Sequence, residues 1–206
     1  MIKNRRLILI DLDGTLIDSS QGIHHSFCYA ASKLNLPTPS LSRLTNYIGP
    51  PILEIAKELY PDLESYILSR FVKLFRSNYD SIGYLRSEWY DQVISTIDIL
   101  FKSNLYDLSI VTNKPTIPST DIIKISGLKK YFLHIIGIDY RFLNDDGAFF
   151  SSKSEAIHHA LQIECYKPES AFYIGDTSSD MNASLEQGVK FIAALYGFQK
   201  WDPDQY

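Results

Sequence analysis

Cysteine is scarce, no long basic run occurs, and no apolar stretch reaches membrane length. Each shortage removes a class of protein. Two cysteines among 206 residues, Cys28 and Cys165, each alone among apolar or aromatic neighbours, supply neither a disulfide framework nor a thiolate metal cluster. Both are expected to be reduced thiols in the core. The 24 acidic side chains outnumber the 20 basic ones and leave a formal net charge of −4. That balance speaks against a nucleic-acid or anionic-membrane surface built on bulk charge, although local fields still permit a small polyanionic ligand. Met1-Ile2-Lys3-Asn4-Arg5-Arg6 and the apolar residues after it imitate a signal peptide, but Asp11 ends the run early. A signal core needs about 7–15 apolar residues and a membrane span about 20, so the expectation is a soluble, cytoplasmic protein. There is no internal repeat or low-complexity tract. What is present is a hydrophobic fraction of 45% and an aromatic fraction of 13%, enough for a sizeable core at a length that buries roughly 70% of the unfolded surface.

Four strand-sized apolar runs occupy residues 7–12, 108–112, 134–138 and 171–174, with a weaker fifth at 191–195. They lack clean alternation, as strands covered on both faces do. Helical segments lie between the later ones, so the fold class is α/β, a doubly wound parallel sheet. Between the first two runs, residues 19–84 show helical periodicity instead: Ile23, Phe27, Ala30, Ala31 and Leu34, then 52–59, then 63–75. Pro37, Pro39, Pro50, Pro51 and Pro61 punctuate that span and mark helix boundaries. The division expected is a core of residues 1–17 and 85–206 with an inserted all-helical domain at 18–84. Residues 91–105 are the helix that returns the chain to the sheet. The spacing of Phe71, Phe75 and Tyr79 makes them an apolar packing stripe.

Chemistry-bearing residues gather where strands end, which is where ligands bind in open α/β sheets. Asp11-Leu12-Asp13-Gly14-Thr15 follows the first run, and two alternating carboxylates there repel each other unless a cation or proton intervenes. Gly175-Asp176-Thr177-Ser178-Ser179-Asp180 follows the fourth run and opens a helix, so Asp176 and Asp180 can face one crevice. Asp176 or Ser178 is alternatively a plain helix cap. If the first and fourth runs are sheet neighbours, about 5 Å apart, their carboxylates converge, and hard oxygen ligands favour Mg²⁺. Thr112-Asn113-Lys114-Pro115 stands in the corresponding place after the second run, where a hydroxyl and an amide can hold phosphoryl oxygens. Lys153 sits in the first turn of a helix, a position the helix dipole disfavours, which makes it a functional candidate. The pairs His24-His25 and His158-His159 diverge on their helices and form no metal face.

Taken together, Asp11-Leu12-Asp13-Gly14-Thr15, Thr112, Lys153 and Gly175-Asp176 to Asp180 resemble the haloacid dehalogenase-like hydrolase superfamily, over essentially the whole chain and in its motif order. The helical insertion looks like that family's small cap. Thr112-Asn113-Lys114-Pro115, Tyr47-Ile48-Gly49-Pro50-Pro51 and Leu195-Tyr196-Gly197-Phe198 look like its phosphoglycolate phosphatase-like and 5′-nucleotidase-like branch. The resemblance implies a Mg²⁺-dependent phosphatase acting on a small phosphorylated metabolite through an aspartyl-phosphate. Asp11 is then the nucleophile and Asp13 the acid and base. Mg²⁺ is held by Asp11, Asp13 through its backbone carbonyl, and Asp176, with Asp180 either a ligand through water or an orienter. Thr112, Asn113 and Lys153 bind the transferring oxygens. An Asp at position 13 separates phosphatases from dehalogenases in the family. Tyr90-Asp91-Gln92-Val93 and Lys153-Ser154 depart from the branch's usual Pro-Gly and Lys-Pro. Lys167-Pro168 contains the latter dipeptide but lies at the wrong end of its strand. Tyr47, Gly49 and Arg76 are the expected cap contacts to substrate. A phosphomutase of the same superfamily and a non-catalytic phospho-ligand or receiver module are the alternative readings. No nucleic-acid or membrane partner is expected, and the chain is read as a monomer or homodimer.

Overall fold

The computed structural model describes residues 5–138 and 150–201; residues 1–4 of the basic leader-like stretch lie outside them. Elements follow in the order β1 (Arg6–Ile10), β2 (Ile17–Asp18), α1 (Ser20–Lys33), α2 (Leu41–Thr45), α3 (Ile52–Leu59), α4 (Ser65–Asn78), β3 (Glu88–Trp89), α5 (Val93–Lys102), β4 (Tyr106–Thr112), α6 (Thr116–Ile125), β5 (Ile135–Gly137), α7 (Lys153–Ile163), β6 (Ala171–Gly175), α8 (Ser178–Glu186) and β7 (Lys190–Ala193). The chain forms two compact units, one the continuous stretch Asp18–Glu88 and the other the described residues on either side of it. Tyr84–Arg86 form a helical turn within the smaller unit, which runs on to Glu88.

In the larger unit, five strands pair in parallel in the order β5-β4-β1-β6-β7. This is the doubly wound parallel sheet that the unalternated apolar runs require. Leu7 and Leu9 of β1 join Val111, Tyr173, Ala156, Ile157 and Ala160 in one buried cluster, while the intervening Ile8 and Ile10 are also buried. With side chains alternating along a strand, β1 is therefore covered on both faces. The return helix is shorter than the expected 91–105: Gln92 at φ 64° stands before α5, and Asn104 at φ 57° lies beyond its end. Left-handed residues cannot continue a right-handed helix.

The smaller unit is helical, with α1 packed on α4. The rings of Phe27 and Phe71 meet edge to face at 4.6 Å, with Tyr60 5.9 Å and 5.8 Å from them. Phe71, Phe75 and Tyr79 are all buried, as a packing stripe should be. A Cβ on Gly22 would overlap the Gly83 carbonyl oxygen, so α1 approaches that turn closely only because it carries glycine there.

One core expectation fails. Cys28 is only half-buried and Cys165 is exposed. Cys165 has φ 55° in the turn that ends α7, where it is exposed between the buried Glu164 and Tyr166. Among the described residues, no helix is long and apolar enough to cross a membrane.

Candidate active site

The central position of β1 sets the geometry. Its neighbours are β4 and β6, so the loops leaving the carboxyl ends of these three strands emerge side by side. Asp11 extends the ladder, its N–H donating to the Ile174 carbonyl at 2.9 Å, which fixes it beside the end of β6. There the chain turns sharply: the Leu12 carbonyl accepts from the N–H groups of Leu16 at 2.9 Å and Ile17 at 3.0 Å. Gly14 takes φ +81°, and a Cβ on it would overlap the Asp176 carboxylate. Glycine is thus required twice over, for the conformation and for the room.

Asp11, Asp176 and Asp180 are all buried, and one carboxylate oxygen from each lies within 4.8 Å of the others. Lys153, the first residue of α7, reaches into this group. Its Nζ is 3.2 Å from Asp11 Oδ2 and ion-pairs with Asp180 Oδ1. The helix that presents it is capped by Ser152, which accepts from the Glu155 N–H. Asp180 has a second task. Its Oδ2 accepts from the N–H and hydroxyl of Thr177, closing a capping box at the start of α8. The cap is therefore Thr177, not Asp176 or Ser178, which frees the Asp176 carboxylate to face the cluster. Asp176 Oδ1 accepts from the Thr15 hydroxyl at 3.4 Å and Oδ2 from the Phe198 N–H at 2.7 Å.

Burial pushes the Asp11 carboxyl up to about 7; Lys153 opposes the shift, and the carboxylates of Asp180, Asp176 and Asp13 add to it. Burial likewise raises Asp176 to about 6, against the stabilising Phe198 N–H. For Lys153, burial alone would lower the pKa, but Asp11 and Asp180 outweigh it and hold the ammonium well above its ordinary value. With every group ionised, the carboxylates of Asp11, Asp13, Asp176 and Asp180 exceed the ammonium groups of Lys114 and Lys153 by two charges. Asp11 Oδ1 is buried with no hydrogen-bond partner. A buried carboxylate oxygen left unpaired is costly. An excess of two negative charges, an orphaned oxygen and an all-oxygen donor set fit one hard divalent cation.

The other residues singled out in the sequence stand around this centre. Thr112 is buried at the end of β4 and Asn113, half-buried, follows it. The Thr112 hydroxyl oxygen accepts from the Lys114 N–H at 3.3 Å. Asp13 does not join the carboxylate trio; both its oxygens are 2.8 Å from Lys114 Nζ. Lys167 is exposed at the opposite end of β6. Tyr47, Gly49 and Arg76 belong to the helical unit.

Sequence reasoning missed two contributors. The sequence marks Lys114 only as part of a turn motif, although a lysine in the loop after a sheet strand is a signal of its own. The segment after β7 carries only a family likeness in the sequence, yet it props the site. The Tyr196 hydroxyl donates to the Thr15 carbonyl at 2.8 Å, Phe198 holds Asp176, and Gln199 Oε1 accepts from the Ser178 N–H at 2.7 Å.

The profile of the haloacid dehalogenase-like hydrolases matches residues 8–194, and the chain belongs to that family of enzymes. It is 30% identical over 195 residues to a 5′-nucleotidase of Pseudomonas aeruginosa, covering 95% of this chain and 85% of the relative. It is 30% identical over 198 residues to a phosphoglycolate phosphatase of Aquifex aeolicus, covering 95% and 87%. A haloacid dehalogenase-like hydrolase of Streptococcus pneumoniae superposes with a TM-score of 0.84 at 32% identity, covering 97% and 89% of the two chains.

Proposed function

We propose that the protein is a Mg²⁺-dependent phosphomonoesterase that hydrolyses a small phosphorylated metabolite through a phosphorylated Asp11. The observation that carries this reading is Asp11 itself: buried, paired through one oxygen with Lys153 and orphaned at the other. An Asp11 oxygen attacks phosphorus and the bond to the ester oxygen breaks; Asp13 donates its proton to that departing oxygen. Water then attacks the phospho-Asp11, Asp13 takes a proton from it, and inorganic phosphate leaves with Asp11 restored. Lys153, Thr112 and Asn113 hold the transferring oxygens, whose spread charge makes preorganised donors the main source of rate. Mg²⁺ would be held by the Asp11 and Asp176 carboxylates and the Asp13 backbone carbonyl, with Asp180 supporting the set, and would supply Lewis-acid neutralisation of those oxygens. Asp180 orients the lysine by pairing with it. The names of the relatives, a 5′-nucleotidase and a phosphoglycolate phosphatase, support a small phosphomonoester as substrate.

The test is phosphate release from a panel of phosphorylated metabolites and an aryl phosphate, with Mg²⁺ and with chelator. Release should require Mg²⁺. Asp11→Asn, which keeps size but removes the nucleophile, should abolish both turnover and the phosphoryl adduct seen by mass spectrometry of quenched enzyme. Full activity in chelator, or substantial turnover by the variant, would sink the proposal.

A further inference from the structure

Lys114 is a buried lysine that the reaction outlined above does not use. Its Nζ lies 2.8 Å from each oxygen of Asp13, with its side chain 3% exposed and that of Asp13 18%. Lysine ordinarily keeps its head in water, so a buried one is held for a partner. The backbone that carries it is tied down on three sides. Its N–H donates to the Thr112 hydroxyl at 3.3 Å. A Cβ on Gly137, at the end of β5, would overlap the Lys114 carbonyl oxygen. One residue past Pro115, the Thr116 hydroxyl exchanges hydrogen bonds with the Gly137 carbonyl and N–H, both at 3.2 Å.

Lys114 is thus anchored between two strand ends before it meets Asp13, which stands in the turn after β1. A carboxylate on such a turn rotates about two side-chain bonds, and a single contact leaves one of them free. Contact to both oxygens fixes both rotations. We propose that Lys114 is the positioning residue for Asp13: it aims the carboxyl that protonates the departing oxygen and later takes the proton of water. The proposal rests on the acid role given to Asp13 above. Lys153 cannot substitute, being committed to Asp11 and Asp180. General-acid catalysis depends steeply on placement, and a displacement of about 1 Å can cost about a hundredfold in rate.

A lysine that merely neutralised a buried charge would affect every substrate alike, whereas one that aims an acid matters in proportion to how much the leaving group needs a proton. The probes are 4-nitrophenyl phosphate, whose leaving group departs as a stable anion, and unsubstituted phenyl phosphate, whose leaving group is a much stronger base. kcat/KM, which reports only the steps up to transfer onto Asp11, is measured for the wild type, Asp13→Asn, Lys114→Met and the double variant. Lys114→Met should lower kcat/KM for phenyl phosphate about tenfold more than for the nitrophenyl ester, within the roughly 10²–10⁴-fold that a general acid contributes. In the Asp13→Asn background the same change should add little, since the two residues act as one unit. If Lys114→Met does not fold, Lys114→Gln is read in the same assay. Equal losses on both esters, or losses that multiply with those of Asp13→Asn, overturn the assignment of Lys114. Should Asp13→Asn itself show no leaving-group dependence, it is the acid role of Asp13 that fails.

Discussion

An alanine at position 197 would put its Cβ against both the Asp176 side chain and the Gly14 carbonyl, two backbone turns that have no spare room. Gly197→Ala should therefore destabilise by about 1–3 kcal/mol in urea, the usual range for forced overpacking. It should also weaken Mg²⁺ binding, measured by titration calorimetry, because the next residue's N–H is a donor to Asp176. A variant with unchanged stability and affinity would show that the tail after β7 is passive. The sequence did not declare this. Asp11, Asp13, Asp176 and Asp180 were legible because carboxylates crowded at strand ends demand an explanation. Lys153 was legible because a cation opens a helix against the dipole. Lys114 and Gly197 were opaque, since what makes them matter is a partner brought near only by the fold, such as Asp13, 101 positions from Lys114.

At the scale of elements, α8 shows how a structural device and a chemical one share a residue. Thr177→Ala removes the side-chain cap, at a cost of about 1 kcal/mol, and also one of the two donors holding the Asp180 oxygen that does not face Lys153. Phosphatase kcat should fall together with stability, and Thr177→Ser should restore both. Loss of stability with kcat unchanged would separate the cap from the site. β1 and β4 were readable because burial on both faces leaves unbroken apolar runs, whereas the edge strand β7, none of whose residues is buried, gives only the weakest run. Helix ends were not, because they depend on caps and left-handed residues rather than on periodicity. Thus α7 begins at Lys153, ahead of its apolar stretch, once Ser152 caps it, and α5 is cut short by Gln92 and Asn104.

For the molecule as a whole, the site's charge excess should be visible as pH-dependent stability. The folded-state pKa values of about 7 for Asp11 and about 6 for Asp176 lie above the ordinary 3.8. Between those limits the folded chain holds more protons than the unfolded one, so these groups' stabilising contribution is full below pH 3.8 and is lost as pH rises through the raised values. In chelator the melting temperature should accordingly fall from pH 5 to pH 8, with each kcal/mol worth about 2–4 °C at this size. Mg²⁺ should raise it more at pH 8 than at pH 5, and Asp11→Asn should blunt both effects. A metal-free melting temperature that rises over this interval would contradict the sign. The order of the strands has one more consequence, in time rather than in space. β1 is central, yet its companions come much later in the chain, and the Thr15–Asp176 contact spans 161 positions. At about 5–20 residues per second of synthesis, the ribosome delivers Asp11 roughly 10–30 s before Asp176 exists. Until β4 is made β1 has neither flank covered, and from then until β6 follows it has only one; the helical unit is completed while its strand still waits. A nascent chain stalled before residue 171 should therefore bind a hydrophobic-surface chaperone through β1, and release it once β6 has left the exit tunnel.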